Sequence, residues 1–136
     1  MDTRSKILTP AAAVAVSARP IAIVTGTFDV LRAEHARELE HARLGSGVAA
    51  LLVVVLPRAG EVLPQPARAE LVAALRVVDY VVAAGTEELE GLISALEPVS
   101  VVRFEEADER RVRELREQIQ ARVKTGTRRG AAETRR

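Results

Sequence analysis

The sequence predicts a three-layer α/β/α domain built on a doubly wound parallel sheet. Three observations carry this. Short β-branched runs at residues 21–25, 48–56, 77–83 and 99–102 are apolar without period-2 alternation, as strands covered on both faces are. Segments with helical apolar spacing lie between them, and strand–helix alternation forces parallel neighbours joined by right-handed crossovers. Aromatic residues make up only 2% of the 136 residues and apolar residues 48%, so the core must be aliphatic. The pattern is Rossmann-like.

Each element has its own signal. Thr9-Pro10 reads as an N-cap with proline at the first helical position, opening a short Ala/Val helix to about Ser17. Pro20 breaks it, and the strand at 21–25 ends at Gly26. A helix over 33–44 puts Ala36, Leu39 and Ala42 on one side, and Gly45-Ser46-Gly47 stops it. The run at 48–56 is the strongest strand and is expected at the centre of the sheet. A proline-rich loop over 57–66 leads into a helix from Pro66 with Leu71, Ala74 and Leu75 facing inward, followed by the strand at 77–83. Thr86 is expected to cap the next helix, with Glu87 and Glu88 at its positive dipole end and a stripe of Leu89, Leu92, Ile93 and Leu96. Pro98 precedes the last strand. The final helix, over about 107–123, places Val112, Leu115, Ile119 and Val123 on one face, with Glu109/Arg113 and Arg110/Glu114 as exposed pairs.

Composition excludes several chemistries. Without cysteine there is no disulfide, thiolate catalysis or Cys-ligated metal. That fits a cytoplasmic setting. No apolar run reaches the roughly 18 residues of a membrane span, so no membrane partner is expected. Asp2, Arg4 and Lys6 before the Ala/Val stretch make a poor signal peptide, because Ser17 and Arg19 interrupt it. The scarcity of aromatics argues against stacking on single-stranded nucleic acid. Residues 1–123 read as one domain and 124–136 as a basic, solvated, disordered tail. Lys124, Arg128, Arg129, Arg135 and Arg136 stand there against Glu133, a local +4 that leaves −3 for the rest of a chain of net charge +1.

In a parallel open sheet, ligands sit beyond the carboxyl ends of the strands at the point where strand order reverses. The loop leaving the first strand reads Gly26-Thr27-Phe28-Asp29-Val30-Leu31-Arg32-Ala33-Glu34-His35. Glycine at a strand end allows close approach of an anion to backbone amides, and a helix N-terminus adds partial positive charge. Arg32 and His35, three residues apart, share one face of the first turn. These features describe a phosphate-sized anion site.

The segment GTFDVLRAEHARELEHAR also resembles the first motif of the cytidylyltransferase-like nucleotidyltransferases, G-x-F-D-x-x-H-x-G-H. RAELVAALRVVDYVV, residues 68–82, is similar to that family's Arg-containing helix followed by V-D-x-V, and is nearest the adenylyltransferase domain of ADP-heptose synthases. The resemblance covers roughly residues 5–102. It implies transfer of a nucleotidyl group from ATP or CTP, with Mg²⁺, to a sugar- or alditol-phosphate, releasing pyrophosphate without a covalent intermediate. Catalysis would be positioning and charge stabilisation. On that resemblance Arg32 and His35 hold the phosphates as catalytic residues, Gly26, Thr27, Phe28 and Asp29 line the nucleotide, and Arg68 assists. No protein metal ligand is expected. Relatives are commonly dimers, and the aliphatic surface permits a homodimer.

Three departures from the pattern stand out. Arg32 replaces the first motif histidine; it still offers a donor fork to phosphate but cannot donate a proton at neutral pH. Glu34 replaces the motif glycine. At about 5 Å from a phosphate, one negative charge repels another by roughly 1–3 kcal/mol, or about 5- to 200-fold in affinity. The loop after the second strand is shortened, with Arg58 as its sole cation, and Thr125-Gly126-Thr127 is a poor substitute for the late Ser/Thr loop of active relatives. A second reading therefore stands beside the enzyme: a non-catalytic relative that keeps the scaffold for binding or assembly, with Glu34 filling the anion site. A third has the basic tail touching nucleic acid. Read individually, Asp29 suits a loop-capping carboxylate, Phe28 the core, His41 a solvated helix face and Arg68 an exposed one. Asp79 would order the start of its strand with Arg76 as partner.

Overall fold

The computed structural model describes residues 2–45, 47–106, 110 and 113–123. The chain divides after Phe104 into two compact units. The first contains a 3₁₀ turn at Thr3–Lys6, strands β1 (Ile7–Leu8), β2 (Ile21–Gly26), β3 (Ala50–Val55), β4 (Tyr80–Ala83) and β5 (Ser100–Arg103), and helices α1 (Pro10–Ala13), α2 (Ala33–Leu44), α3 (Gln65–Ala73) and α4 (Thr86–Leu96). The five strands form one parallel sheet in the order β1-β4-β3-β2-β5. Strand order runs one way from β2 through β3 to β4 and then jumps to β5 on the other side of β2. The reversal therefore falls between β2 and β5, at the end of the first long strand.

The expected layers are present. Every residue of β2 and β3 is buried, as strands covered by helices on both faces require. On one face Ala22, Val24, Leu51, Val53 and Val81 pack with Leu39 of α2 and Ala69, Val72 and Ala73 of α3. On the other, Ile21, Ile23, Leu52, Val54 and Val82 pack with Ala13 of α1 and Leu89, Leu92 and Leu96 of α4. The α4 stripe is the one the spacing predicts, and each fully buried leucine contributes about 1.5–3 kcal/mol. The bounds of α2 also agree with its reading, ending at Gly45.

The structure corrects several local expectations. β1 was not legible, because two residues carry no periodicity; it pairs Ile7 and Leu8 with Val81 and Val82. α1 keeps its Thr9 cap, which accepts from the Ala12 amide, but stops at Ala13 rather than Ser17. β3 and β4 begin two and three residues late. Ahead of them Val48 and Val78 donate backward to Gly45 and Leu75, so their amides are spent on turns. The cap of α4 is Gly85, not Thr86, and the Glu88 carboxylate accepts from the Gly85 amide. The largest correction concerns α3. Its inner face is Arg68, Ala69, Val72 and Ala73, while Leu71 is 45% exposed and Ala74 is exposed. Apolar spacing alone places the arginine outside. Burying Arg68 turns the helix about its axis, and Leu75 reaches the core only at its margin.

The second unit begins at Glu105. Its residues 113–123 are helical and exposed, including Leu115, Ile119 and Val123 of the expected apolar stripe. Val112, Glu109 and the basic segment 124–136, with Thr125-Gly126-Thr127, lie outside the described residues. No helix among the described residues is long and apolar enough to cross a membrane.

Truncating the α4 stripe tests the layered core. Leu92→Ala is expected to lower unfolding free energy by about 2–5 kcal/mol in urea titrations; a loss below 0.5 kcal/mol would place that leucine outside the core.

Candidate functional site

β2 ends at Gly26, and after a six-residue loop the chain reaches the start of α2 at the reversal point of the sheet. Phe28 turns the chain there with φ 51°, a left-handed conformation that costs a non-glycine residue roughly 1–2 kcal/mol. Its ring holds it there. Phe28 is 3% exposed, with its ring centroid 5.8 Å from His35 and 5.9 Å from Phe104. The His35 and Phe104 rings stack at 5.7 Å and 23°. The only two phenylalanines of the chain thus form a three-ring cluster with a histidine beside the end of β2.

Gly26 is necessary for this arrangement. A Cβ at that position would lie 2.9 Å from Phe28 Cε2 and 3.3 Å from Phe104 Cβ. The space that the missing side chain leaves is therefore filled by aromatic rings from its own chain.

His35 closes the first turn of α2. Its Nδ1 accepts from the Arg32 backbone amide at 3.0 Å. An amide can only donate, so the Nδ1 lone pair is used and the neutral ring carries its proton on Nε2. His35 is 3% exposed. Any phosphate contact by this ring must be made through Nε2. Arg32 and Glu34 are both exposed on the same turn, where the Glu34 charge suits the positive end of the helix.

Asp29 and Arg68 join this loop to the loop after β3. Asp29 Oδ1 accepts from the amides of Val62 at 2.8 Å and Leu63 at 3.3 Å, and Oδ2 lies 3.5 Å from Arg58. Burial pushes the Asp29 carboxyl up. The Val62 and Leu63 amides, with the charges of Arg58 and Arg68, outweigh that and hold it below the usual carboxylate range. Arg68 is wholly buried. Its Nε donates to the Leu63 carbonyl at 3.0 Å, one terminal nitrogen donates to the carbonyls of Thr27 and Leu56, and the other pairs with Glu61 at 2.6 Å. Arg68 is thus neither exposed on its helix, as its spacing suggested, nor turned outward toward a ligand; four of its five donors are engaged by protein. Asp29 takes the loop-capping role that its residue type predicts.

Several contributors were not read from the sequence. Gln65 donates to the carbonyls of Val55 and Ala84, tying the ends of β3 and β4. Asp79 does order the start of its strand, accepting from the Leu51 amide at 2.8 Å. Its cation is Arg43 at 2.9 Å rather than Arg76. An open groove of about 750 Å³ lies along Pro57, Arg58, Gly60, Glu61, Pro64 and Gln65, and Arg58 is its half-exposed cation. Phe104 gave one signal in the sequence: it is the second of only two phenylalanines and directly follows the last strand. Among the described residues no group of three or more His, Asp or Glu side chains is arranged to hold a metal ion.

One solved structure that resembles this chain is the crystal structure of the lipopolysaccharide core biosynthesis protein from Thermoplasma volcanium GSS1. The match has 20% sequence identity and a TM-score of 0.53, and covers 60% of this chain and 70% of that one. The likeness shows the fold. No family model matches the chain, and no curated protein sequence is significantly similar to it.

Two expectations follow for the loop tie. Arg68→Met leaves the Thr27, Leu56 and Leu63 carbonyls and the Glu61 carboxylate without their donor, and is expected to cost about 3–5 kcal/mol in chemical denaturation. Arg68→Lys should recover only part of this, since an ammonium cannot reproduce the fork; full recovery would contradict the geometry. The folded-state pKa of Asp29 lies below its unfolded value, so its contribution is complete above the unfolded value of about 3.9 and is lost as pH falls toward the folded one. Asp29→Asn should flatten the fall of melting temperature in that acid window and leave a pH-independent deficit at neutrality.

Proposed function

We propose that this chain is a nucleotidyltransferase-like protein that holds the polyphosphate of ATP or CTP where β2 turns into α2. The observation that carries this is positional. A glycine-ended interior strand leads through a six-residue loop to the N-terminus of a 12-residue helix at the reversal point of a parallel sheet. Such sheets bind their ligands at that point, and such helix ends attract phosphate. Arg32 adds an exposed cation, and with Nδ1 capping the turn any contact of His35 with an oxyanion would be made through Nε2. Mg²⁺ would arrive with the nucleotide and supply charge neutralisation to its phosphates. The acceptor would be a phosphorylated small molecule, its phosphate oxygen attacking the α-phosphorus in line as pyrophosphate leaves. The likeness to a lipopolysaccharide core biosynthesis protein supports a biosynthetic setting. Transfer is slow in this reading, because Glu34 places a carboxylate on the turn that receives the phosphates.

A second reading has a specific observation in its favour. Arg68 and Asp29, which the sequence offered as nucleotide contacts, spend their groups on the protein itself. A scaffold that binds without catalysis would keep this arrangement unchanged.

Pyrophosphate release from ATP or CTP with Mg²⁺ and a panel of sugar phosphates separates the two. The enzyme reading expects slow release by the wild type and an increase of about 5- to 200-fold on Glu34→Gly, the range set by removing one nearby negative charge. Binding without release in both proteins would favour the scaffold. Absence of polyphosphate binding in both would remove the anion site altogether.

A further inference from the structure

We infer that Phe104 is the specificity-determining residue of this site: it plugs the crevice between β2 and β5, so the rim takes a polyphosphate and does not read a base. The inference rests on the phosphate-binding reading above and deepens it. In a doubly wound sheet the ligand lies in the crevice beyond the two strands that flank the reversal point. Here those strands are β2 and β5, which run side by side from Ala22↔Ser100 to Thr25↔Arg103. The next residues along the chain are Gly26, the last of β2, and Phe104, just past β5. The glycine contributes no side chain and the phenylalanine supplies the bulk, with Phe104 Cβ 3.3 Å from where a Gly26 Cβ would stand.

The plug is tightly seated. Phe104 is 3% exposed, stacks on His35 and meets Phe28 at a tilt of 57°. Three aromatic rings in mutual contact fill the space where a flat heterocycle would otherwise lie. Interiors packed to crystal density do not admit an added ring. By contrast, Gly85, two residues past β4 at the cap of α4, has only the Glu88 carboxylate near it, at 3.8 Å. The strand-to-helix glycine at Gly26 is filled by rings and the one at Gly85 is not.

Exposed residues at the rim are of another kind. Arg32 and Glu34 lie on the first turn of α2, outside the aromatic cluster, and Arg58 stands at the groove beyond Asp29. A ligand that meets these groups meets charge and amides, with no flat apolar slot. The matching ligand chemistry is a short chain of phosphates whose attached group stays in solvent.

Calorimetric titration of the full-length protein with inorganic tripolyphosphate, ATP, CTP, GTP and UTP, each with Mg²⁺, tests this directly. The expected result is dissociation constants within about threefold of one another, since a seated and stacked base adds on the order of 10- to 100-fold. One nucleotide binding tenfold more tightly than tripolyphosphate would overturn the plug while leaving the phosphate reading intact. Failure of tripolyphosphate and all four nucleotides to bind would remove both. Phe104→Ala opens the crevice and should introduce at least a fivefold preference for a nucleoside triphosphate over tripolyphosphate. Phe104→Leu, a smaller truncation that better preserves the fold, should introduce a weaker preference in the same direction. A folded Phe104→Ala protein that remains indifferent to the base would also overturn the inference.

Discussion

The buried guanidinium of Arg68 sets the geometry of the rim. A charged group with no solvent exposure is costly unless its donors are met, and here three carbonyls and a carboxylate meet them. Those acceptors come from the loop after β2, the residue just past β3 and the loop before α3. One side chain thereby fixes three backbone segments that have no secondary structure of their own to hold them. Asp29 does the converse from the other side, supplying a carboxylate to the amides of Val62 and Leu63. The two residues form a reciprocal tie, cation to carbonyls and anion to amides, across the mouth of the sheet.

That tie has consequences for chemistry. A rim held by internal charges is pre-organised, and pre-organisation lowers the cost of binding a ligand. The same internal use removes Arg68 and Asp29 from the groups that could touch one. What is left facing outward is a helix end, Arg32, Glu34 and Arg58, with the aromatic trio of Phe28, His35 and Phe104 behind them. The site thus combines a polar surface suited to anions with a closed apolar floor. His35 belongs to both parts, because one nitrogen completes the helix turn while the ring packs in the floor.

Legibility varied with the range of the interactions. The alternation of strands and helices, the parallel sheet, α2 with its limits and the α4 stripe could all be read from local apolar spacing, because burial on both faces leaves a continuous β-branched run and burial on one face leaves a helical stripe. The face of α3 is not legible from spacing, for a specific reason. Spacing assigns a charged residue to solvent, and nothing near Arg68 in the chain announces acceptors at Thr27 or Leu56. The partner of Asp79 was misread likewise, since Arg43 comes from α2, well away in sequence. The Thr86 cap failed by one residue, where glycine at 85 let the Glu88 side chain close the turn instead.

The order of residues alone determined an aliphatic three-layer domain and drew attention to the loop leaving β2, because hydrophobic period and the glycine-to-helix transition are properties of neighbouring residues. Tertiary structure decided which strands flank that loop, and so brought Phe104 from the end of β5 against Gly26 and His35. It also decided that Arg68 and Asp29 serve the protein rather than face outward. Those outcomes depend on which distant backbone groups come within hydrogen-bonding reach, and only the assembled sheet fixes that distance.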